Sequence, residues 1–237
     1  MSVMKRQPPN AFTLIELLVV ITIIAILASF GLPAYTAVQE RAQQTKDLSN
    51  AKQIALALKQ FAADNNGAFP AKAAVAGEYT AAAANAPTDS NSALFWLFPN
   101  YLQSEDIFAV NGSKWTPANP DNKIDAAGAA PTDTLKSGEN SYAYLLNLTD
   151  TANAAFPLVA DGFADPIASP PVYDTSKTNK GGVWAAKKAI VAFCDGSGQI
   201  LKCDATKKCP TRLNGAKSLF EPDTGWLDAA NTVLNPK

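Results

Sequence analysis

The chain has 237 residues, a net charge of −1, 47% hydrophobic residues and 17% charged ones, enough for one globular domain plus an elongated element. It contains no histidine, which excludes Ser-His-Asp and Cys-His relays and histidine-held metals. No basic excess marks a nucleic-acid surface, so neither an enzyme nor a nucleic-acid partner is predicted.

Residues 1–11 are short and polar and carry Lys5 and Arg6. An apolar run follows from Phe12 to Leu32. As a helix it is about 31 Å long, at 1.5 Å per residue, and this matches a bilayer core of about 30 Å. Lys5 and Arg6 place the N-terminus in the cytoplasm, and everything after Pro33 then faces the periplasm or exterior. A plain signal anchor, a signal peptide cut after the run and a leader cut before it all contain such a segment. Glu16 separates them. A carboxylate deep in a bilayer costs about 2.5–3.5 kcal/mol on insertion scales, and such a residue calls for a partner. The natural partner is the α-amino group that cleavage after Ala11 would create on Phe12, supplied by a neighbouring subunit. Leu32-Pro33-Ala34 also fits poorly to the small-x-small pattern of a signal-peptide site.

The stretch Ala11-Phe-Thr-Leu-Ile-Glu16, followed by Leu-Leu-Val-Val-Ile, resembles the processing motif of type IV pilins and type II secretion pseudopilins. Gly usually stands in that family where Ala11 stands here. The resemblance implies cleavage by a prepilin peptidase between Ala11 and Phe12, N-methylation of Phe12 and an assembly role for Glu16. It also implies a single-pass inner-membrane precursor with its head in the periplasm, later a periplasmic or surface filament. The implied partners are membrane lipid, an inner-membrane assembly platform and other pilin or pseudopilin subunits. Pro33 and Tyr35 fall where many pilins have a proline and a tyrosine. Proline lacks an amide donor and clashes with the preceding turn, so a kink is expected near Leu32–Tyr35.

Beyond Pro33, Val38, Ala42, Thr45, Leu48, Ala51, Ala55, Leu58 and Ala62 recur at steps of three or four, flanked by Ile54 and Phe61. Glu40, Arg41, Lys46, Asp47, Lys52 and Lys59 are assigned to the other faces. This predicts an amphipathic helix ending near Asp64, where Asn65-Asn66-Gly67 supplies a stop and Pro70 prevents resumption. The whole helix would be about 78 Å long. The segment Phe61–Pro70 is similar to the helix end of major-pseudopilin-like proteins.

In the remainder, residues 71–91 read as loop, and Ala93–Phe98 as a short apolar helix. Residues 111–138 read as a long surface loop with a fragment of strand. Ser141–Leu148 and Phe156–Ala160 read as strands. Ala189–Cys194 and Gln199–Lys202 read as a hairpin around Asp195-Gly-Ser-Gly198. These predict a small antiparallel sheet of three or four strands, one face covered by the long helix. The Asp161-Gly and Asp195-Gly pairs are similar to a DG motif of pseudopilin-like proteins, and both have a plain turn explanation.

Asp161, Asp165 and Asp195, with Asp204, are candidate calcium ligands at the sheet edge, since calcium takes six to eight oxygens. No spacing matches a known calcium loop, and no cofactor is otherwise expected. The hairpin register puts Cys194 opposite Gln199 and Cys203 opposite Ile190, so Cys203 and Cys209 form the expected disulfide, with Cys194 left as a thiol.

The expected fold is α+β and pilin-like: a long N-terminal α-helix, half membrane-spanning and half amphipathic, on a small antiparallel head. Its parts are a leader (1–11), a membrane and filament-core helix (12–33), an amphipathic helix (34–64) and a periplasmic head (65–237). The expected function is a structural subunit of a type IV pilus-like filament, in its finest form a type II secretion pseudopilin. The alternative is a membrane-anchored periplasmic protein that binds a ligand or substrate and uses the same segment only as an anchor.

Overall fold

The structure is a computed structural model that describes residues 12–79, 85–212 and 217–237. The expected leader and Ala11 lie outside the described residues, as does the side chain of Pro33. Helix α1 runs from Leu14 to Asp64, and its helical assignment continues across position 33. The chain divides into two compact units between Gln43 and Gln44.

In the first unit the apolar side chains of α1 face outward. Leu14 is 82% exposed and Ile24 58%. An 18-residue window of this helix reaches a mean hydropathy of 2.6, sufficient for a membrane span. Its hydroxyls are turned back onto the helix. Thr22 Oγ1 donates to Leu18 O and Val19 O at 3.0 and 2.8 Å, and Ser29 Oγ donates to Ile26 O at 2.7 Å. Such back-bonding satisfies polar groups that lipid cannot.

The second unit begins with the rest of α1. Ala51, Ile54, Ala55, Leu58, Phe61 and Ala62 of this helix are buried, as the periodicity predicts. The polar edge of the buried face differs from the expectation. Thr45 is exposed, whereas Gln44, Asp47 and Asn50 are buried. The stripe rotates because the step from 47 to 51 to 54 keeps Asp47 above the core residues, while 45 and 52 turn away. The helix ends in a left-handed cap. Asn66 takes φ 54°, and Gly67 N donates to Ala62 O at 2.8 Å, the six-to-one bond that closes helix C-termini.

Helix α2 (Ser90–Leu94) is capped by Asp89, which accepts from Ser92 N at 2.8 Å, and runs into a 3-10 turn over Phe95–Leu97. The sheet has five strands: β1 (Tyr142–Leu145), β2 (Pro157–Asp161), β3 (Lys188–Phe193), β4 (Gly198–Lys202) and β5 (Val233–Leu234). All neighbours are antiparallel, in the order β4-β3-β2-β1-β5. The class is therefore α+β, with one strand more than expected. Strand β5 has two residues, too short to show an alternation in sequence.

The strand residues alternate between two packed faces. Tyr142, Tyr144, Ile190 and Ala192 join the cluster containing Ile54, Leu58 and Phe61 of α1. Ala143, Ala160, Val191 and Phe193 join a second cluster with Phe163, Tyr173, Leu219 and Phe220. Loops before and after the β3–β4 hairpin thus cover the face that α1 leaves.

The hairpin register also differs from the expectation. Val191 stands opposite Gln199, and Cys203 N donates to Lys187 O at 3.0 Å. The turn is tighter than Asp195–Gly198. Phe193 N donates to Ser197 O, and Gly196 N donates to Phe193 O. The loop is therefore Cys194-Asp195-Gly196, with Gly196 at φ 84°, a three-residue turn with glycine in the left-handed position. Gly198, freed from the turn, opens β4 beneath α1. A Cβ there would lie 2.9 Å from Lys52 Cγ and 3.0 Å from Leu48 Cδ1. Residues 111–138 form no strand among the described residues, and the loop is anchored by buried Trp115, whose Nε1 donates to Phe163 O at 3.0 Å.

Candidate assembly site at the helix N-terminus

The first turn of an α-helix has amides without intrahelical partners. At the start of α1 two side chains answer this need. Thr13 Oγ1 accepts from Glu16 N at 3.3 Å, and Glu16 Oε2 accepts from Thr13 N at 2.8 Å. Glu16 Oε2 also accepts from Thr13 Oγ1 at 2.6 Å. This reciprocal pattern is the capping box encoded by Thr-x-x-Glu, and a carboxylate in the first turn suits the positive end of the helix dipole. The signature was present in the sequence as Thr13-Leu-Ile-Glu16, so the residue has an intrachain role beside the one assigned to it.

Phe12, Ile15, Val19 and Val20 line the shallow groove in which Glu16 sits. Both bonds from Thr13 fall on Oε2, and the carboxylate stands exposed at the start of the helix. The arrangement can bind an ammonium or amide donor.

The other expected site residues are dispersed. Asp161 is 1% exposed at the end of β2, and its Oδ2 accepts from Trp184 Nε1 at 3.0 Å and Ile190 N at 2.9 Å. Asp165 pairs with Lys180 at 3.1 Å. Asp195 caps its own turn, accepting from Ser197 N at 2.7 Å. Among the described residues these three do not converge on one point; the acids that do are Glu105, Asp121 and Glu139, which lie 16 and 18 residues apart and carry no motif. Cys203 and Cys209 flank a reversal in which Asp204 N donates to Cys209 O at 3.0 Å, and Cys203 bridges to Pro210. All three cysteines are buried thiols, so the expected Cys203–Cys209 disulfide is not formed in the structure. Burial pushes the Cys194 and Cys203 thiols up to about 12, which keeps them protonated and unreactive at neutral pH.

Asp47 lies on the buried face of α1, not on an outer face as the sequence predicts. It is 1% exposed, and burial pushes its carboxyl up to about 7 against the lowering effect of Lys46. Burial first, and then the charge of Asp47, raise Asp161 to about 7 despite its bonds from Ile190 and Trp184. Asp47 Oδ2, Asn50 Nδ2 and Asp161 Oδ1 are buried without hydrogen-bond partners.

Residues 9–32 match the family model described as the prokaryotic N-terminal methylation motif. The chain is also similar to the fimbrial protein EcpC of Eikenella corrodens, with 40% identity over 74 residues. That match covers 31% of this chain and 48% of the relative, so the chain spans about half the length of the curated relative it matches. No solved structure matches. With its capping box, its apolar exposed helix and this motif over residues 9–32, the chain is type IV pilin-like at its N-terminus.

Proposed function

We propose that this protein is a structural subunit of a type IV pilus-like filament. The observation that carries the reading is Glu16: a carboxylate held by Thr13 at the start of an exposed apolar helix, inside a methylation motif. The precursor spans the inner membrane once, its N-terminus in the cytoplasm and its head in the periplasm. Prepilin peptidase cuts between Ala11 and Phe12 and methylates the new amine. In the filament, Glu16 Oε1 accepts that amine from a neighbouring subunit, which offsets two charges that the apolar bundle would otherwise leave unpaired. Contacts between two different surfaces of successive subunits generate an open helix. Pro33, which lacks an amide donor, is the point of α1 where we place a bend.

The machine we propose is a type II secretion pseudopilus, supported by the resemblance of Phe61–Pro70 to major pseudopilins. The likeness to a fimbrial protein favours a second reading, an external pilus. The non-catalytic reading is supported by the lack of histidine and by thiols held protonated.

The test is the mass of subunits recovered from sheared filaments. A chain starting at N-methylated Phe12 is expected, and Glu16→Ala should be processed normally yet leave at least tenfold fewer filaments. An uncleaved chain found only in membranes would overturn the reading in favour of a membrane-anchored binding protein. Wild-type filament yield from Glu16→Ala would remove the role given to the carboxylate.

A further inference from the structure

The head carries unpaired charge of opposite sign at the two ends of its part of α1. Near the first end, Lys46 and Lys52 of α1 and Lys202 of β4 are exposed. Lys188 of β3 donates from Nζ to Gln44 Oε1, a neutral acceptor, at 2.9 Å. Lys188 and Lys202 stand directly opposite each other across the β3–β4 pair. Like charges in that position destabilise a sheet. Among the described residues, no carboxylate forms an ion pair with any of these four lysines. Ile200, two residues from Lys202 along β4 and opposite Ile190, leaves 37% of its surface open among them.

At the other end, Asp64, Glu78 and Asp150 are exposed. Asp64 is the last residue of α1, and its Oδ2 accepts from Tyr101 Oη at 2.8 Å. Asp150 N donates to Gly67 O at 2.9 Å, just past the helix end. Glu78 precedes Tyr79, whose ring packs edge-on against Phe61 with centroids 4.9 Å apart. Lys72, also at this end, holds its ammonium over the Tyr79 ring, 5.2 Å from the centroid. Among the described residues, none of the three acids is in an ion pair. The helix from Lys46 to Asp64 is about 27 Å long at 1.5 Å per residue. Salt screens exposed charges beyond about 8 Å at physiological ionic strength, so the two sets do not neutralise each other within one chain. Between chains they can. A positive surface of one copy meeting a negative surface of the next joins two different patches, and such a contact propagates head to tail instead of closing a two-fold dimer. Complementary charge also fixes the register of the contact.

We propose that Lys46, Lys52, Lys188 and Lys202, around Ile200, form a docking surface for a second copy of this chain, which presents Asp64, Glu78 and Asp150. This rests on the filament reading and adds to it the two head surfaces that meet. It does not involve Glu16.

The test is charge reversal in the full chain, read as filament yield after shearing, with processing followed by the mass of the N-terminal peptide and folding by Tm. One variant combines Lys52→Glu with Lys202→Glu, and another combines Asp64→Lys with Asp150→Lys. All four positions are exposed, so both variants should be processed normally and melt within about 3 °C of wild type. Each should give at least tenfold fewer filaments. The four substitutions together should restore the yield to within about threefold of wild type, because the reversed surfaces attract again. Full yield from either pair, or a fourfold variant no better than the pairs, would overturn the interface. A wild-type chain that forms no filaments would instead overturn the filament reading on which it rests.

Discussion

Replacing Asp161 with asparagine tests the electrostatics of the head at one atom. Oδ2 takes both donors, Trp184 Nε1 and Ile190 N, while Oδ1 has none. An asparagine can keep its oxygen on the two donors and place its NH2 where Oδ1 stood, and it carries no charge for burial and Asp47 to act on. The native carboxyl sits at about 7 against an ordinary 3.8. The folded chain therefore holds a proton between about pH 4 and 7 that the unfolded chain has lost, and stability falls as pH rises through that interval. At 1.36 kcal/mol per pH unit, the interval amounts to about 4 kcal/mol for one carboxylate. For a chain of this size that is roughly 10 °C in Tm. Thermal unfolding of the full chain in detergent, followed by near-ultraviolet circular dichroism from pH 4.5 to 8, measures it. Asp161→Asn should flatten the decline and melt above wild type at pH 8. A variant with the wild-type slope, or one less stable at pH 8, would show that the proton is not held there and refute the argument.

Thr13→Ala removes the reciprocal cap but leaves Glu16, so it should cost α1 about 1 kcal/mol and reduce filament yield less than Glu16→Ala does. Gly198→Val places a branched side chain against Lys52 and Leu48, within 3.0 Å of both at the Cβ alone, and should lower head stability by about 1–3 kcal/mol. Gly225→Ala, where a Cβ meets no atom, is the comparison for its φ of 77°. Peptide mapping without reductant should find Cys194, Cys203 and Cys209 all as thiols. A disulfide between any two of them would show that burial does not hold them reduced.

Features that depend on near neighbours in the chain were legible. The apolar run from Phe12 to Leu32 has the length of a bilayer core, and no tertiary contact is needed to read it. The stop after Asp64 follows from Asn66 and Gly67, which accept left-handed backbone. Asp195-Gly196 announced the hairpin for the same reason. The fold class followed, because one long helical pattern precedes several short strand patterns.

Where a count of one to three residues matters, the chain alone did not decide. The turn closes over Cys194-Asp195-Gly196 rather than Asp195–Gly198, because Gly198 is drawn into β4 where Leu48 and Lys52 leave no room for a side chain. Asp47 reads as a surface acid beside Lys46, and only the docking of Tyr142, whose Oη donates to Asp47 O at 3.1 Å, shows that it is buried. The convergence of Glu105, Asp121 and Glu139 leaves no pattern at all, since their meeting depends on how a loop of irregular backbone folds back on itself. By itself the sequence determined an N-terminal helix with its motif and the order of the elements. The tertiary structure alone decided which polar groups are shut away from water, because burial is a property of surfaces that come together from distant parts of the chain.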